Sequence, residues 1–413
     1  MDLKYHNQEL YEICKESMKK VIDFLKPHLK NKFLQSDIEF ILFISKLNPQ
    51  FENIPEYNKF INSLKNDVKF SSHLEQMVGT RTSQTRLDLT MIPQEMIKKL
   101  SKQYLRTRIF DYEYFDYLYA GFENFFYNDN VPISTILPLK NLKIDSDIDL
   151  GDRLKIRKTS YEDLEYIQDR YFFGVMGFHQ NDFSHVIEHI IYAEKIIGDK
   201  KPKVENKINS ITILENTVKA LRLFKSGDFK HHSYITRTRS DVPISSGMYA
   251  LNTPNFIIPS SNIYELKGHE IENFKVFWKQ FNNSKFHQSK SIDIAIRRFN
   301  LAFDRTNLED KIIDFLISYE ALFFKNEKQE LREKISRRVG ILLENDFLKR
   351  QILAKEVKEI YDKRSSIVHG DSVLLTDDFI QRVEEILRLS IRGFLKKIET
   401  QNHDEIIDHL DFG

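Results

Sequence analysis

The sequence predicts a mainly α fold with a mixed α+β middle region and a C-terminal helical bundle. Three observations carry this. Apolar residues recur at helical spacing through residues 8–126. The texture changes near Asn130 to short, β-branched and alternating runs. After residue 288, five amphipathic segments follow one another with short connections.

The N-terminal stretch opens with Leu10, Ile13, Cys14, Met18, Val21, Phe24 and Leu25 on one helical face, and a second apolar segment spans Asp37 to Leu47. Strands are predicted at Val131–Pro138 and, from period-two alternation, at Asp152–Arg157; Tyr171–Phe178 and Ser233–Thr238 are further candidates, with a helix at Thr217–Phe224 between them. Residues 240–261 hold Pro, Gly, Ser and Asn at turn density, and the polar stretch Asn282–Lys290 reads as a linker. Helix A then presents Ile292, Ala295, Ile296, Phe299, Ala302 and Phe303. Asn307 supplies an N-cap for helix B, whose inward residues are Leu308, Ile312, Phe315, Leu316, Tyr319, Leu322 and Phe323. Helix C carries Leu331, Ile335, Val339 and Leu342. Helix D carries Leu348, Ile352, Val357, Ile360 and Tyr361 and stops near Gly370. Thr376 opens helix E, which buries Phe379, Val383, Ile386, Leu387, Phe394 and Ile398.

Composition narrows the partners. At about 150 residues per domain, 413 residues give two or three domains. Basic and acidic residues balance, 62 against 61, so any nucleic-acid site must be a local patch rather than a global field. A single cysteine, Cys14, excludes an internal disulfide and fits a reducing compartment. The polar N-terminus has no secretory apolar stretch, and no run approaches the ~18 apolar residues of a membrane span. A cytoplasmic protein without a membrane partner is expected. The phosphate-binding pattern G-x-x-x-x-G-K-[ST] is missing, so ATP use is not expected; no cofactor is expected.

The chemistry concentrates in Arg364-Ser-Ser-Ile-Val-His369. Cutting RNA without a metal requires a base for the 2′-hydroxyl, an acid for the leaving oxygen and a cation for the phosphate. Histidine titrates near neutrality, and the arginine fork matches phosphate oxygens. Five residues on a helix amount to about 140° around the axis, so Arg364 and His369 converge only at a helix end or across a dimer interface. Ser365 and Ser366 add hydroxyls beside the Arg. The bland alternative makes His369 a partner for terminal carbonyls and pairs Arg364 with Asp362 or a neighbouring helix. Glu320, beside the core face of helix B, either holds Arg364, orients His369, or sits on a solvated border. Lys334, Arg337 and Arg338 form a basic stripe that contacts phosphates or is a solvated face paired with Glu330 and Glu333.

The string Tyr361-Asp-Lys-Arg-Ser-Ser-Ile-Val-His-Gly370 resembles the R-x4-6-H signature of HEPN ribonucleases, and more narrowly the ApeA-like branch found in bacterial anti-phage proteins. Ile296-Arg-Arg-Phe-Asn300, Ile313–Phe323 and Glu330-Leu-Arg332 support it in order, over residues 290–400. The resemblance implies a HEPN-like helical bundle and a metal-independent endoribonuclease that works as a homodimer or larger even assembly. It further implies defence by cutting host or invader RNA, with Arg364 and His369 catalytic. Many members carry Asn, Asp or His directly after the Arg, whereas this chain has Ser365, which leaves that serine's role open. The expected divisions are a mainly helical region at 1–129, an α+β sensor or regulatory region at 130–287, the ribonuclease bundle at 288–402 and an acidic tail at 403–413. The rival reading is a non-catalytic HEPN-like binding or dimerisation module.

Two other signals are discounted. His185-Val-Ile-Glu-His189 matches the H-x-x-E-H zinc string and would place both His on one helix face, with Glu265 as a third ligand, but nothing around it suits that fold, so no metal site is expected. Gly79-Thr-Arg-Thr-Ser-Gln-Thr-Arg86 is a polar basic loop that serves a phosphate or the surface equally well.

Overall fold

The computed structural model describes residues 5–30, 37–80, 83–160, 163–164, 183–197, 210–231, 234–238, 249–251, 262–325, 327, 329–369 and 375–412. The fold is mainly α, with an antiparallel sheet in the middle of the chain.

The N-terminal part holds α1 (Gln8–Leu29), α2 (Asp37–Phe51), α3 (Pro55–Asn66), the single turn α4 (Val68–Ser71), α5 (Met91–Thr107) and α6 (Tyr112–Tyr127). Their apolar faces close one core, from Leu10 to Val131, rich in rings such as Phe115, Tyr119, Phe122 and Phe126. Glu123 is buried there, yet its carboxylate accepts from the backbone N–H groups of His6 (2.9 Å) and Asn7 (3.0 Å), which offsets its desolvation. The stretch expected as the loop Gly79–Arg86 forms a hairpin of β1 (Met77–Thr80) and β2 (Ser83–Arg86), with Gly79 opposite Gln84 and Arg86 paired to Glu75 at 2.7 Å.

Among the described residues the middle sheet has seven strands, all antiparallel: β3 (Asn130–Lys140), β5 (Ile148–Gly151), β6 (Leu154–Lys158), β7 (His185–Glu194), β9 (Lys230–His231), β10 (Tyr234–Thr238) and β11 (Tyr249–Leu251), in the order β11-β10-β3-β7-β6-β5 with β9 also on β3. Beside it, β4 (Leu142–Ile144) pairs in parallel with β12 (Tyr264–Leu266), and β8 (Ile196–Ile197) joins β1. The expected strands at 131–138, 152–157 and 233–238 fall on β3, β6 and β10; Tyr171–Phe178 lies outside the described residues. Leu137, Leu139, Ile156 and Ile187 face α7 (Ser210–Phe224), which packs Leu214, Val218 and Leu221 onto the sheet. The same apolar cluster continues into the C-terminal helices without a break.

Those helices are α8 (Ile271–Asn283), α9 (Lys290–Ala302), α10 (Leu308–Phe323), α11 (Leu331–Leu343), α12 (Phe347–His369), α13 (Asp377–Lys397) and α14 (His403–Phe412). Helices A to E of the sequence are α9 to α13, and the inward residues expected of A, B and E are buried or pack against the core. Asn307 caps α10 by accepting from the Glu309 N–H at 2.7 Å, and Thr376 caps α13 through the Phe379 N–H at 3.3 Å. Three expectations change. The stretch 282–290, expected as a linker, is the end of α8, a packed 3-10 turn at Lys285–Gln288 and the start of α9, anchored by fully buried Phe286. Within the 403–413 stretch expected as a tail, His403–Phe412 is a docked helix that buries Ile406, Ile407 and Leu410, with a His403 ring nitrogen 2.8 Å from the Leu322 carbonyl. Helix D faces the core through Leu353, Val357 and Ile360, while Leu348 and Ile352 are exposed, because the first turns of this 23-residue helix overhang the core.

α13 is tied to the last turn of α7, where Arg388 donates to the Arg222 carbonyl (2.8 Å) and Arg392 to the Phe224 carbonyl (3.0 Å). Cationic donors at a helix C-terminus satisfy orphan carbonyls and complement the dipole.

Burial holds the imidazoles of His73, His185, His189 and His287 below their ordinary range. The unfolded chain protonates them near pH ~6.5, while the folded chain resists. Their contribution is therefore complete above that pH and lost as pH falls through the folded values. Calorimetric midpoints are expected to drop from pH 7 to pH 5, and less steeply in a His185→Gln/His189→Gln chain. An equal slope in that variant would contradict the assignment.

Candidate functional site

Helix α12 carries the Arg364–His369 motif, and its placement follows from packing. Leu353, Val357 and Ile360 recur at four and three residues and face the core. Arg364 and Ile367 continue that stripe at positions 11 and 14 beyond Leu353, so the arginine arrives at the edge of the buried face. Across from it, α10 presents Glu320 one position after buried Tyr319. The Arg364 Nη2 lies 3.1 Å from Glu320 Oε1 and 3.3 Å from Oε2, and the Tyr361 hydroxyl donates to Oε1 at 3.0 Å. Arg364 and Glu320 are about one-third and one-quarter exposed, so the pair opens to solvent. Burial and the Glu320 charge push the Tyr361 hydroxyl up to about 12, so it stays a donor at neutral pH.

Neighbouring ion pairs fix the helix. Arg332 of α11 holds Asp362 through two bonds of 2.6 and 2.7 Å, Lys358 pairs with Glu333, and Arg382 of α13 holds Glu356 at 2.6 and 2.9 Å. Gly340 lets α11 approach α12 closely: a Cβ there would stand 3.0 Å from the Arg350 carbonyl oxygen. Asp362 is thus committed to Arg332, and Arg364 has the longer-range partner Glu320.

The backbone of α12 is helical through His369. Arg364 and His369 are therefore about 7.5 Å apart along the axis and about 140° around it. Ser366 is half-buried on the same helix. The side chains of Ser365 and His369, and Gly370 with the residues to 374, lie outside the described residues.

The basic stripe divides. Lys334 is half-buried and Arg337 is exposed, 2.7 Å from Asp411. Arg338 is fully buried and donates to the Phe323 carbonyl, Glu327 (2.7 Å) and Asp411 (2.8 and 2.7 Å). It is a clamp between α10, α11 and α14, and its burial leaves it no surface for the phosphate contact expected of it. Glu333, expected opposite the stripe, pairs with Arg332 and Lys358 instead.

His185 and His189 sit on strand β7, not on a helix, in a run with β-branched Val186, Ile187, Ile190 and Ile191. Four residues of strand separate them by about 13 Å. A His185 ring nitrogen faces the Leu142 carbonyl (3.1 Å) and Ser184 Oγ (2.9 Å), and a His189 nitrogen faces Ser210 Oγ (3.0 Å). Glu188 is held by Arg157 (2.7 Å) and Ser134 (2.6 Å), and Glu265 by Lys143 (2.7 Å). Among the described residues, no cluster of three or more His, Cys, Asp or Glu is placed to hold a metal ion, and no helix is long and apolar enough to cross a membrane.

Sequence reasoning missed a cavity of about 450 Å³ between α7, β10 and α9, lined in part by Lys219, Arg222, Arg297, Arg298 and Asn300. Its only sequence signal is the doublet Arg297-Arg298. No family model, curated protein or solved structure matches this chain.

Proposed function

We propose that the chain is a metal-independent HEPN-type endoribonuclease acting in the cytoplasm, with Arg364 and His369 as its working groups. The observation that carries this reading is the Glu320 carboxylate, which holds Tyr361 and Arg364 together on the turns of α12 leading to His369. A guanidinium positioned by a carboxylate clamps a phosphate, and a histidine further along the same helix moves protons. In this reaction the 2′-oxygen attacks phosphorus as its proton passes to one imidazole. The 5′-oxygen leaves with a proton from another. The products are a 2′,3′-cyclic phosphate and a 5′-hydroxyl. Ser365 and Ser366 follow Arg364 directly in the chain and supply hydroxyls, and Lys334 and Arg337 are proposed as further contacts to the RNA.

One chain brings one motif histidine, whereas the reaction uses an acid and a base. Two copies about a two-fold axis bring both. The expected state is a homodimer or larger even assembly, with α12 near the axis, and light scattering on the full chain reads it directly. A monomer with full activity would contradict the composite site.

A defence effector of this kind arrests growth when overexpressed or when phage infect, and the sheet region at 130–287 takes the sensing role. The second reading, a non-catalytic binding module, draws on the same Glu320–Arg364 contact, since ion pairs also join helices. RNA incubated with the full chain in EDTA separates the two: the first predicts cleavage that requires Arg364 and His369, the second predicts none.

A further inference from the structure

The cavity between α7, β10 and α9 lies apart from the motif helix and has features of a built ligand site. Its volume falls in the range of small-molecule pockets. Four cations line it, Lys219, Arg222, Arg297 and Arg298, against two carboxylates, Glu215 and Asp304, which leaves an excess of two positive charges. Internal pairs account for part of the set. Arg222 meets Asp304 at 3.2 Å and Arg298 meets Asp314 at 2.8 Å. Lys219 reaches the Asn216 side-chain oxygen at 3.2 Å, and Arg297 is exposed and makes no salt bridge among the described residues.

Two lining residues also carry unmet polar groups. Arg222 is 1% exposed and Asn300 is 8% exposed. The Arg222 Nε donor and the Asn300 Oδ1 acceptor have no hydrogen-bond partner, although the rest of each side chain is satisfied: Arg222 Nη1 donates to the Asn300 carbonyl (3.0 Å) and Asn300 Nδ2 to the Ile296 carbonyl (2.9 Å). A buried polar group left unmatched costs free energy, but both atoms lie beneath the cavity surface, out of reach of a bound molecule. The run Ile296–Asn300 divides accordingly: Ile296 and Phe299 enter the core, while Arg297, Arg298 and Asn300 border the cavity.

We propose that this cavity binds a phosphate-bearing small molecule of nucleotide size. The doubly charged phosphate sits at Lys219 and Arg297, where a guanidinium and an ammonium match a dianion. The remainder of the ligand packs on the apolar lining, Val218, Tyr234 and Leu301.

The test is calorimetric titration of the full chain with AMP, GMP, CMP and UMP, and with inorganic phosphate and adenosine as separate arms. At least one nucleotide is expected to bind saturably, once per chain, more tightly than phosphate alone and more weakly as salt rises. Lys219→Gln/Arg297→Gln is expected to weaken that nucleotide by about 10- to 100-fold, as loss of charged hydrogen bonds does. Both side chains reach solvent, so the thermal midpoint of the variant stays near that of the parent, and Arg297→Glu alone provides a second variant with the same expectation. Arg364→Ala leaves the affinity unchanged, which separates this site from the proposed catalytic one. Four results would each overturn the proposal: no saturable binding of any nucleotide, no preference over inorganic phosphate, unchanged binding in both cavity variants, or binding lost in Arg364→Ala alone.

Discussion

His369→Ala is expected to lower RNA cleavage by ~100- to 10,000-fold, the usual loss when an acid/base group is removed. Arg364→Ala is expected to cause a loss of the same order, because the phosphate then lacks its clamp. The double variant is expected to be no worse than the poorer single one, since groups acting as a unit are not additive. The folded state tolerates both changes. Glu320 is partly exposed and keeps the Tyr361 hydroxyl when Arg364 is truncated. A partly exposed pair of this kind contributes about 1 kcal/mol or less. The structural-pair alternative predicts the reverse pattern, with a lowered thermal midpoint and unchanged cleavage per folded molecule. Both quantities are measured on the same preparations.

The largest expected stability loss comes from Arg388→Met. The Arg388 guanidinium is fully buried, pairs with Glu384 and Glu385, and donates to the Arg222 carbonyl at the end of α7. Removing it leaves the Glu384 carboxylate, itself 6% exposed, with Lys311 at 4.0 Å, and leaves an orphan carbonyl, at a cost of about 3–5 kcal/mol in urea unfolding. The pH dependence has a definite sign. Burial pushes the Glu384 carboxyl up, and Arg388 and Lys311 pull it back. Without Arg388 it rises further, so keeping it neutral in the folded chain costs more as pH increases. The destabilisation is therefore larger at pH 8 than at pH 5. Arg388→Met/Glu384→Leu removes both charges and is expected to recover much of the loss. An equal deficit at both pH values, or no recovery in the double variant, would contradict this account of the cluster.

Much of the bundle was legible because a buried helix face writes itself at three- and four-residue spacing; Phe299, Phe315, Leu387 and Phe394 lie where that rule puts them. The rule misplaced Leu348 and Ile352 because periodicity does not say where a long helix leaves the core. His185 and His189 were ambiguous for a geometric reason. A spacing of four puts two residues on one side of a helix, at 40°, and on the same side of a strand. Only the strand pairing of β7 with β3 and β6 separates the two cases. Around α12, sequence left Arg364 with several partners; its placement on the core-facing stripe selects Glu320 over Asp362. The Arg338 clamp and the cavity at Lys219 and Arg297 were hidden because each joins segments far apart in the chain, Asp411 to α11 and α7 to α9. No local pattern encodes such meetings.

The most direct measurement is the end chemistry of RNA cut by the full chain in EDTA. The account predicts fragments carrying 2′,3′-cyclic phosphate and 5′-hydroxyl ends, formed without added metal and missing when Arg364 or His369 is replaced by Ala. Silence in EDTA with activity restored by zinc or manganese, or normal cleavage by both folded variants, would contradict it.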